Sequence, residues 1–293
     1  MTSSTLINPH QPLSTTKKMA TISAKDVAKL REMTGAGMMD CKSALTEADG
    51  DFEKAIEWLR KKGQKLSIKR ADREAKEGAV IALVSDDKKR GVIVKLSCET
   101  DFVAKNENFV NLTKEFAKVA LDSFPASKED LLNQTFNGIT IGEKVTEQVG
   151  VIGEKIEVAG YERLEAEQIA PYIHMGNRAG VLVGLNIADD KFSSVGRDVA
   201  MQIAAMRPVA LDKEDVPTSV IEKEIEIGKE QARAEGKPEA MLENIAKGKL
   251  NAFYRDNTLL NQTFVKDNKK TIRDFLKEQD GDLTVTGFKR VEL

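Results

Sequence analysis

Over its 293 residues the chain sets 45 Lys and Arg against 47 Asp and Glu, a net charge of -2, so no basic surplus exists to grip a phosphate backbone and direct nucleic-acid binding is not expected. Charged residues make up 31% of the chain and aromatics 5%, which suits a helix-rich protein with a broad solvated surface better than an aromatic-lined ligand pocket. No apolar run nears the ~20 residues that span a bilayer. The two cysteines, Cys41 and Cys98, form no Cys-x-x-Cys pair, which argues against a zinc site or disulfide framework and for reducing, cytoplasmic surroundings.

In chain order, residues 1-18 are rich in Ser and Thr and free of acids, with Lys17 and Lys18 but no arginine and no apolar core; they are expected to be a disordered leader. A three-helix unit follows over 19-63. Ser23 can cap its first helix with Asp26 as the box partner, while Ile22 and Val27 occupy the staple positions. Thr34-Gly35-Ala36-Gly37 breaks that helix, and a second runs from about Met39 to Ala48. After Asp49-Gly50-Asp51, Phe52, Ala55, Ile56 and Leu59 mark one face of a third helix, expected to end at Gly63. Residues 64-77 are charged and poor in large apolar side chains, the pattern of a linker, either helical or irregular.

Beyond the linker the class becomes α+β. Ala79 to Val84 and Gly91 to Cys98 are β-branched runs joined by a polar turn, a hairpin pattern. A polar stretch from Glu99 to Asn108 leads into a helical stripe of Phe109, Leu112, Phe116, Ala117 and Ala120, with Asn106 or Asn108 as cap. The run Gly91-Val92-Ile93-Val94-Lys95-Leu96 returns as Gly180-Val181-Leu182-Val183-Gly184-Leu185, again followed by a helical stripe, Val195, Val199, Ile203 and Met206. Two related subdomains follow from this, 78-165 and 166-293, each a small antiparallel sheet with a packed helix. Asp101 of the first copy aligns with Asp190 of the second, but Phe102 aligns with Lys191, so the apolar tip exists once. Residues 216-256 interrupt the second copy as a helical hairpin turning at Gly236-Lys237-Pro238. Ile221, Ile225, Gly228 and Ala232 on one arm match Met241, Ile245, Gly248 and Ala252 on the other, the seam of an antiparallel coiled coil. Leu283 to Leu293 reads as a last strand.

Enzyme motifs are missing. There is no Gly-x-x-x-x-Gly-Lys-Ser/Thr phosphate loop, and Gly35-Ala36-Gly37 follows a helix, with Asp40 where a dinucleotide loop needs its third glycine. With His10 and His174 as the only histidines, a His-x-x-x-His metal site is impossible and no serine motif supports a triad. The chain is expected to need no cofactor or metal and to act by binding. The pattern leaves Phe102 open between a core residue closing a strand end and an exposed contact on a functional loop. Met38-Met39 and His174 are open in the same way between packing and contact.

Thr34-Gly35-Ala36-Gly37-Met38-Met39-Asp40-Cys41-Lys42, Thr100-Asp101-Phe102-Val103-Ala104-Lys105-Asn106, Ile152-Gly153-Glu154, Tyr172-Ile173-His174 and Arg178-Ala179-Gly180-Val181-Leu182-Val183 stand in one order along the chain. Together they closely resemble the signatures of the elongation factor Ts family, over about Met19 to Leu293. The resemblance implies a ubiquitin-associated-like (UBA-like) bundle over 19-63, a projecting coiled-coil arm over 216-256, and guanine nucleotide exchange on elongation factor Tu during translation elongation. It further implies that Thr100, Asp101, Phe102 and Val103 form a tip that intrudes near the partner's nucleotide and magnesium site. Met38, Met39, Ile152, Gly153 and His174 become further partner contacts, although His174-Met175-Gly176-Asn177-Arg178 replaces a more Gly-rich family version. A homodimer or a 2:2 complex with the partner is compatible with the resemblance. The rival expectation is a general protein-binding module with no exchange activity, which would need no Asp-Phe tip.

Overall fold

The computed structural model describes residues 22–293; the expected leader over 1-18 lies outside the described residues. Helix α1 (Ala24–Thr34) opens with the reciprocal box: Ser23 Oγ accepts from the Asp26 amide at 3.1 Å, and the Asp26 carboxylate accepts from the Ser23 amide at 3.2 Å. It stops at Gly35, whose φ of 71° is left-handed, where glycine pays no Cβ penalty. Helix α2 (Met38–Glu47) and α3 (Phe52–Arg70) complete the bundle around Leu30, Cys41, Ala44, Leu45 and Ala55.

α3 does not end at Gly63 as the sequence suggests; it runs on through the first half of the expected linker to Arg70. Gly63 serves a crossing instead of a stop. A Cβ there would lie 2.8 Å from the carbonyl oxygen of Thr146, and one on Gly150 would lie 3.0 Å from Gly63 Cα. The two glycines therefore let α3 close on a later helix at backbone distance.

The core begins with the hairpin of β1 (Glu77–Val84) and β2 (Arg90–Cys98), paired antiparallel from Glu77 opposite Cys98 to Val84 opposite Gly91. A short helix, α4 (Asp101–Ala104), then α5 (Glu107–Ser123) follow, the latter capped by Asn106, whose Oδ1 accepts from the Asn108 amide. Next come α6 (Lys128–Leu132), a two-stranded ribbon of β3 (Thr135–Phe136) and β4 (Ile139–Thr140), and α7 (Ile141–Ile152), the helix that α3 crosses. β5 (Glu157–Glu165) returns to pair with β2.

The second half is built alike. β6 (Gln168–His174) and β7 (Ala179–Leu185) pair antiparallel, and α8 (Ser193–Met206) packs over them. After an inserted pair of antiparallel helices, α9 (Thr218–Ala234) and α10 (Glu239–Asn257), come the ribbon β8 (Thr263–Phe264) and β9 (Asp267–Thr271), then α11 (Ile272–Gln279) and β10 (Val285–Glu292) against β7. The sheet orders are β1-β2-β5 and β10-β7-β6. A second internal match marks the equivalence and escaped the sequence reading: Leu-Leu-Asn-Gln-Thr-Phe occurs at 131–136 and again at 259–264, each time leading into the ribbon.

The two sheets pack back to back, with α5 outside one and α8 outside the other. Period-two alternation divides each strand between two cores. Val92, Val94 and Leu96 face α5, and Val181, Val183 and Leu185 face α8, while Val80, Ala82, Ile93, Ile169 and Leu182 meet between the sheets. Strands buried on both faces read as unbroken apolar runs. The repeated glycines have a joint cause here: a Cβ on Gly91 would stand 3.0 Å from Leu182 Cδ2, and one on Gly180 would stand 3.0 Å from Val80 Cγ1. Each glycine seats a side chain of the opposite sheet.

The seam of α9 and α10 needs a correction on one arm. Gly228 and Ala232 are buried as expected, but Met241 and Gly248 are exposed, and Leu242 and Ala246 are the buried residues of α10. The heptad step is kept and the face is displaced by one residue. A Cβ on Gly228 would meet Ala246 Cα at 3.2 Å, so a small residue on each arm sets the approach. At the base, the Val209 amide donates to Asn257 O at 2.8 Å, and the Leu259 and Leu260 amides donate to Ala210 O and Leu211 O at 3.0 Å each. No helix among the described residues is long and apolar enough to cross a membrane.

Candidate functional site

β2 ends at Cys98, and the chain must then change direction to enter α5. It does so through α4, whose N-cap is Thr100 in an extended conformation. Asp101 and Phe102 occupy the first turn. Phe102 is 85% exposed, so the core reading of this residue fails, and the neighbouring Val103 is the one that packs inward with Ala104 against the α5 core. Asp101 pairs with Lys105 at 2.7 Å, one turn on, and the lysine's hydrogen bond holds the carboxyl below the ordinary aspartate value.

An exposed ring on a four-residue helix has little packing to fix it, yet the backbone beneath is tightly held. The Glu154 carboxylate accepts from the Glu99 amide at 3.0 Å, from the Thr100 amide at 3.1 Å and from the Thr100 hydroxyl at 2.7 Å. Glu99 forms a second layer. Its carboxylate accepts from the Lys155 amide at 2.6 Å, from Arg70 at 2.8 Å and from Arg73 at 2.9 Å. Burial alone would raise the Glu99 carboxyl, but the Lys155 N–H and the two guanidiniums outweigh it and hold the group at about 2. Cys98 Sγ donates to Thr100 O at 3.2 Å, and its pKa is pushed up to about 12, first by burial and then by the charge of Glu154. This thiol is an inert strut, not a nucleophile.

The structure brings some of the sequence-derived residues together and leaves others apart. Phe102, Val103 and Ile152 line one groove with Met33, Thr34 and Gly35 of the bundle. Gly153 caps α7 with φ 80° and turns the chain so that Glu154 lies under the tip. Met38 and Met39, 61% and 70% exposed, line a separate groove on the bundle with Val27 and Ala28. His174 lies in neither groove. It ends β6, where its Nδ1 is 3.0 Å from the Tyr172 hydroxyl. The turn after it is tied to the base of β1, since Asn177 O accepts from the Val80 amide at 2.8 Å and Arg178 pairs with Glu77 at 3.3 Å. Because Glu77 stands opposite Cys98, that turn shares the tip's end of the sheets.

Sequence reasoning missed Glu99 and Glu154 as anchors. The available signal was an acid flanking each of two motifs, one just before Thr100-Asp101-Phe102 and one just after Ile152-Gly153. Among the described residues no cluster of three or more His, Cys, Asp or Glu could hold a metal ion. What the tip presents is an acid and a bare aromatic ring on an anchored turn, beside the exposed Met33 of the bundle.

The family model described as Elongation factor TS matches residues 99–293. A Flavobacterium psychrophilum protein named Elongation factor Ts is 54% identical over 275 residues, spanning 94% of this chain and 100% of that protein. Its namesake from Christiangramia forsetii gives the same identity and the same shares. A third, from Porphyromonas gingivalis, is 48% identical over 273 residues, 93% of this chain and 98% of the relative.

Proposed function

The chain belongs to the elongation factor Ts family of translation elongation factors, and from that premise we propose that it is the guanine nucleotide exchange factor for elongation factor Tu, acting by docking and not by chemistry of its own. The observation that carries the reading is the outward, solvent-facing Phe102 on a turn whose backbone is fixed from below. In this reading Asp101 and Phe102 enter the partner's GTPase domain beside its nucleotide and magnesium. Phe102 wedges side chains apart there, and GDP with its metal loses its seat. Met38 and Met39, with Ile152, Gly153 and His174, form the surrounding contact, and methionine's soft, unbranched side chain suits a surface that must adapt to its partner. The bundle over 19-63, the two subdomains over 78-165 and 166-293, and the arm over 216-256 are the working units.

Linkage sets the scale. If the factor weakens GDP binding by some ratio, GDP weakens the factor's binding by the same ratio. Moving a population from 1:99 to 99:1 takes ~5.5 kcal/mol of differential affinity. Burying a fully exposed phenylalanine contributes about 1.5–3 kcal/mol, so the ring supplies a large part and the flanking contacts supply the rest.

The test is stopped-flow release of fluorescent GDP from purified elongation factor Tu. The native chain accelerates release; Asp101→Ala combined with Phe102→Ala removes most of the acceleration with an unchanged far-UV spectrum. Full acceleration by the double variant overturns the role of the tip. Binding of the native chain without acceleration points to the general binding module instead.

A further inference from the structure

Phe102 leaves the surface almost bare, so its own side-chain packing cannot decide where the ring points. That direction has to come from the backbone of residues 99–103. Thr100 is the pivot. Its hydroxyl accepts from the Val103 amide at 3.5 Å, as an N-cap does, and donates its proton to Glu154 Oε1 at 2.7 Å. The other carboxylate oxygen, Oε2, takes the amides of Glu99 and Thr100. A single side chain therefore fixes the two peptide planes entering α4 and the rotamer of its cap. Hydrogen bonds to an ionised acceptor are roughly twice as strong as neutral ones, and among the described residues no other group accepts from these three donors.

Gly153 gains a role from the same geometry. A Cβ there would meet nothing within 4 Å, so space does not demand glycine; its φ of 80° does. That left-handed residue turns the chain out of α7 and delivers Glu154 beneath the tip.

We propose that Glu154 is a positioning residue for nucleotide exchange: by accepting from the Glu99 and Thr100 amides and the Thr100 hydroxyl, its carboxylate sets the direction in which Phe102 enters the partner, a role that rests on the exchange reading given above. It touches neither nucleotide nor metal. Its loss lets the tip swing while the docking surfaces on the bundle and elsewhere on the core stay in place.

The experiment separates rate from affinity. GDP release from elongation factor Tu is followed over a range of factor concentrations for the native chain, Glu154→Ala, Glu154→Gln and Thr100→Val, with amide hydrogen exchange on each free protein. Glu154→Ala lowers the release rate at saturation by roughly tenfold to a hundredfold, the range that a misplacement of about 1 Å brings, and moves the half-saturating concentration much less. Glu154→Gln, whose carbonyl oxygen can still accept both amides, recovers most of the rate, and Thr100→Val falls between. In the free chain the Glu99 and Thr100 amides exchange slowly in the native and Gln proteins and fast in Glu154→Ala. A native saturating rate in Glu154→Ala, a loss confined to the half-saturating concentration, or unprotected amides in the native chain overturns the positioning role alone. Absence of acceleration by the native chain overturns the exchange reading and this one together.

Discussion

The crossing of α3 and α7 gives the sharpest stability prediction, because intrinsic propensity and packing pull it in opposite directions. Alanine is favoured over glycine by about 1 kcal/mol in a helix interior, so Gly63→Ala should stabilise an isolated α3. In the folded chain the added Cβ would sit 2.8 Å from Thr146 O and 3.7 Å from Gly150 Cα, both backbone atoms of α7 that no rotamer change can clear. Separating the helices costs about 1–3 kcal/mol, the usual range for overpacking, which leaves a net loss of up to about 2 kcal/mol. Gly248→Ala is the internal control: Gly248 is also inside a helix, but a Cβ there meets nothing within 4 Å, so the same ~1 kcal/mol appears as a gain. The propensity contribution cancels between the two variants, and their difference isolates the contact. Urea titrations read Gly63→Ala through Trp58, the chain's one tryptophan and part of α3, while amide exchange in α10 reads Gly248→Ala. If Gly63→Ala raises its midpoint, as Gly248→Ala raises protection in α10, the helices do not touch at backbone distance and the reasoning is wrong.

Two further outcomes are expected. The folded Glu99 carboxyl lies at about 2 against an ordinary value of 4.5; a depressed pKa contributes stability that is complete above the ordinary value and lost as pH falls through the folded one. Urea midpoints should therefore fall as pH drops from about 4.5 toward 2, and Glu99→Gln should be weaker at neutral pH and flatter across that window; an unchanged slope in the variant would remove Glu99 from the acid response. In the second core, buried Gln202 accepts from the Val265 amide at 2.9 Å and donates to Gln262 Oε1 at 3.2 Å and Thr263 O at 3.1 Å. Gln202→Leu strands those partners and should cost about 1–3 kcal/mol; a near-neutral midpoint shift would show that they find other partners.

Much of this fold can be read from letters because its determinants are local. The Ser23 and Asp26 box, the turn between β1 and β2, and the recurrence of Gly91 to Leu96 at Gly180 to Leu185 all depend on residues adjacent in sequence. What stayed hidden depends on partners far along the chain. α7 contains Gly142, Gly150 and several β-branched residues, a poor helix by propensity, and forms because Ile141, Val145 and Val149 are buried against the core. β5 reads as charged because, as an edge strand, it keeps Glu157, Glu162, Arg163 and Glu165 near solvent. The α10 seam was displaced because two apolar rows run along one helix, and the choice between Met241 and Leu242 is made by α9. At the tip, the exposed residues were legible and their anchors were not, since Glu154 reaches Thr100 from far along the chain, and Glu99, though next to Thr100, finds its partners at Arg70, Arg73 and Lys155.

The base of the helical arm carries a consequence of its own. Residues 209–211 and 257–260 run side by side, joined by backbone hydrogen bonds and a parallel bridge between Ala210 and Thr258, so everything between departs and comes home through one narrow doorway. Such an appendage is a graft: it can be trimmed, lengthened or exchanged for an unrelated module without rethreading a single strand of the body that carries it. The doorway, more than the arm's own sequence, is what ties the insertion to the body.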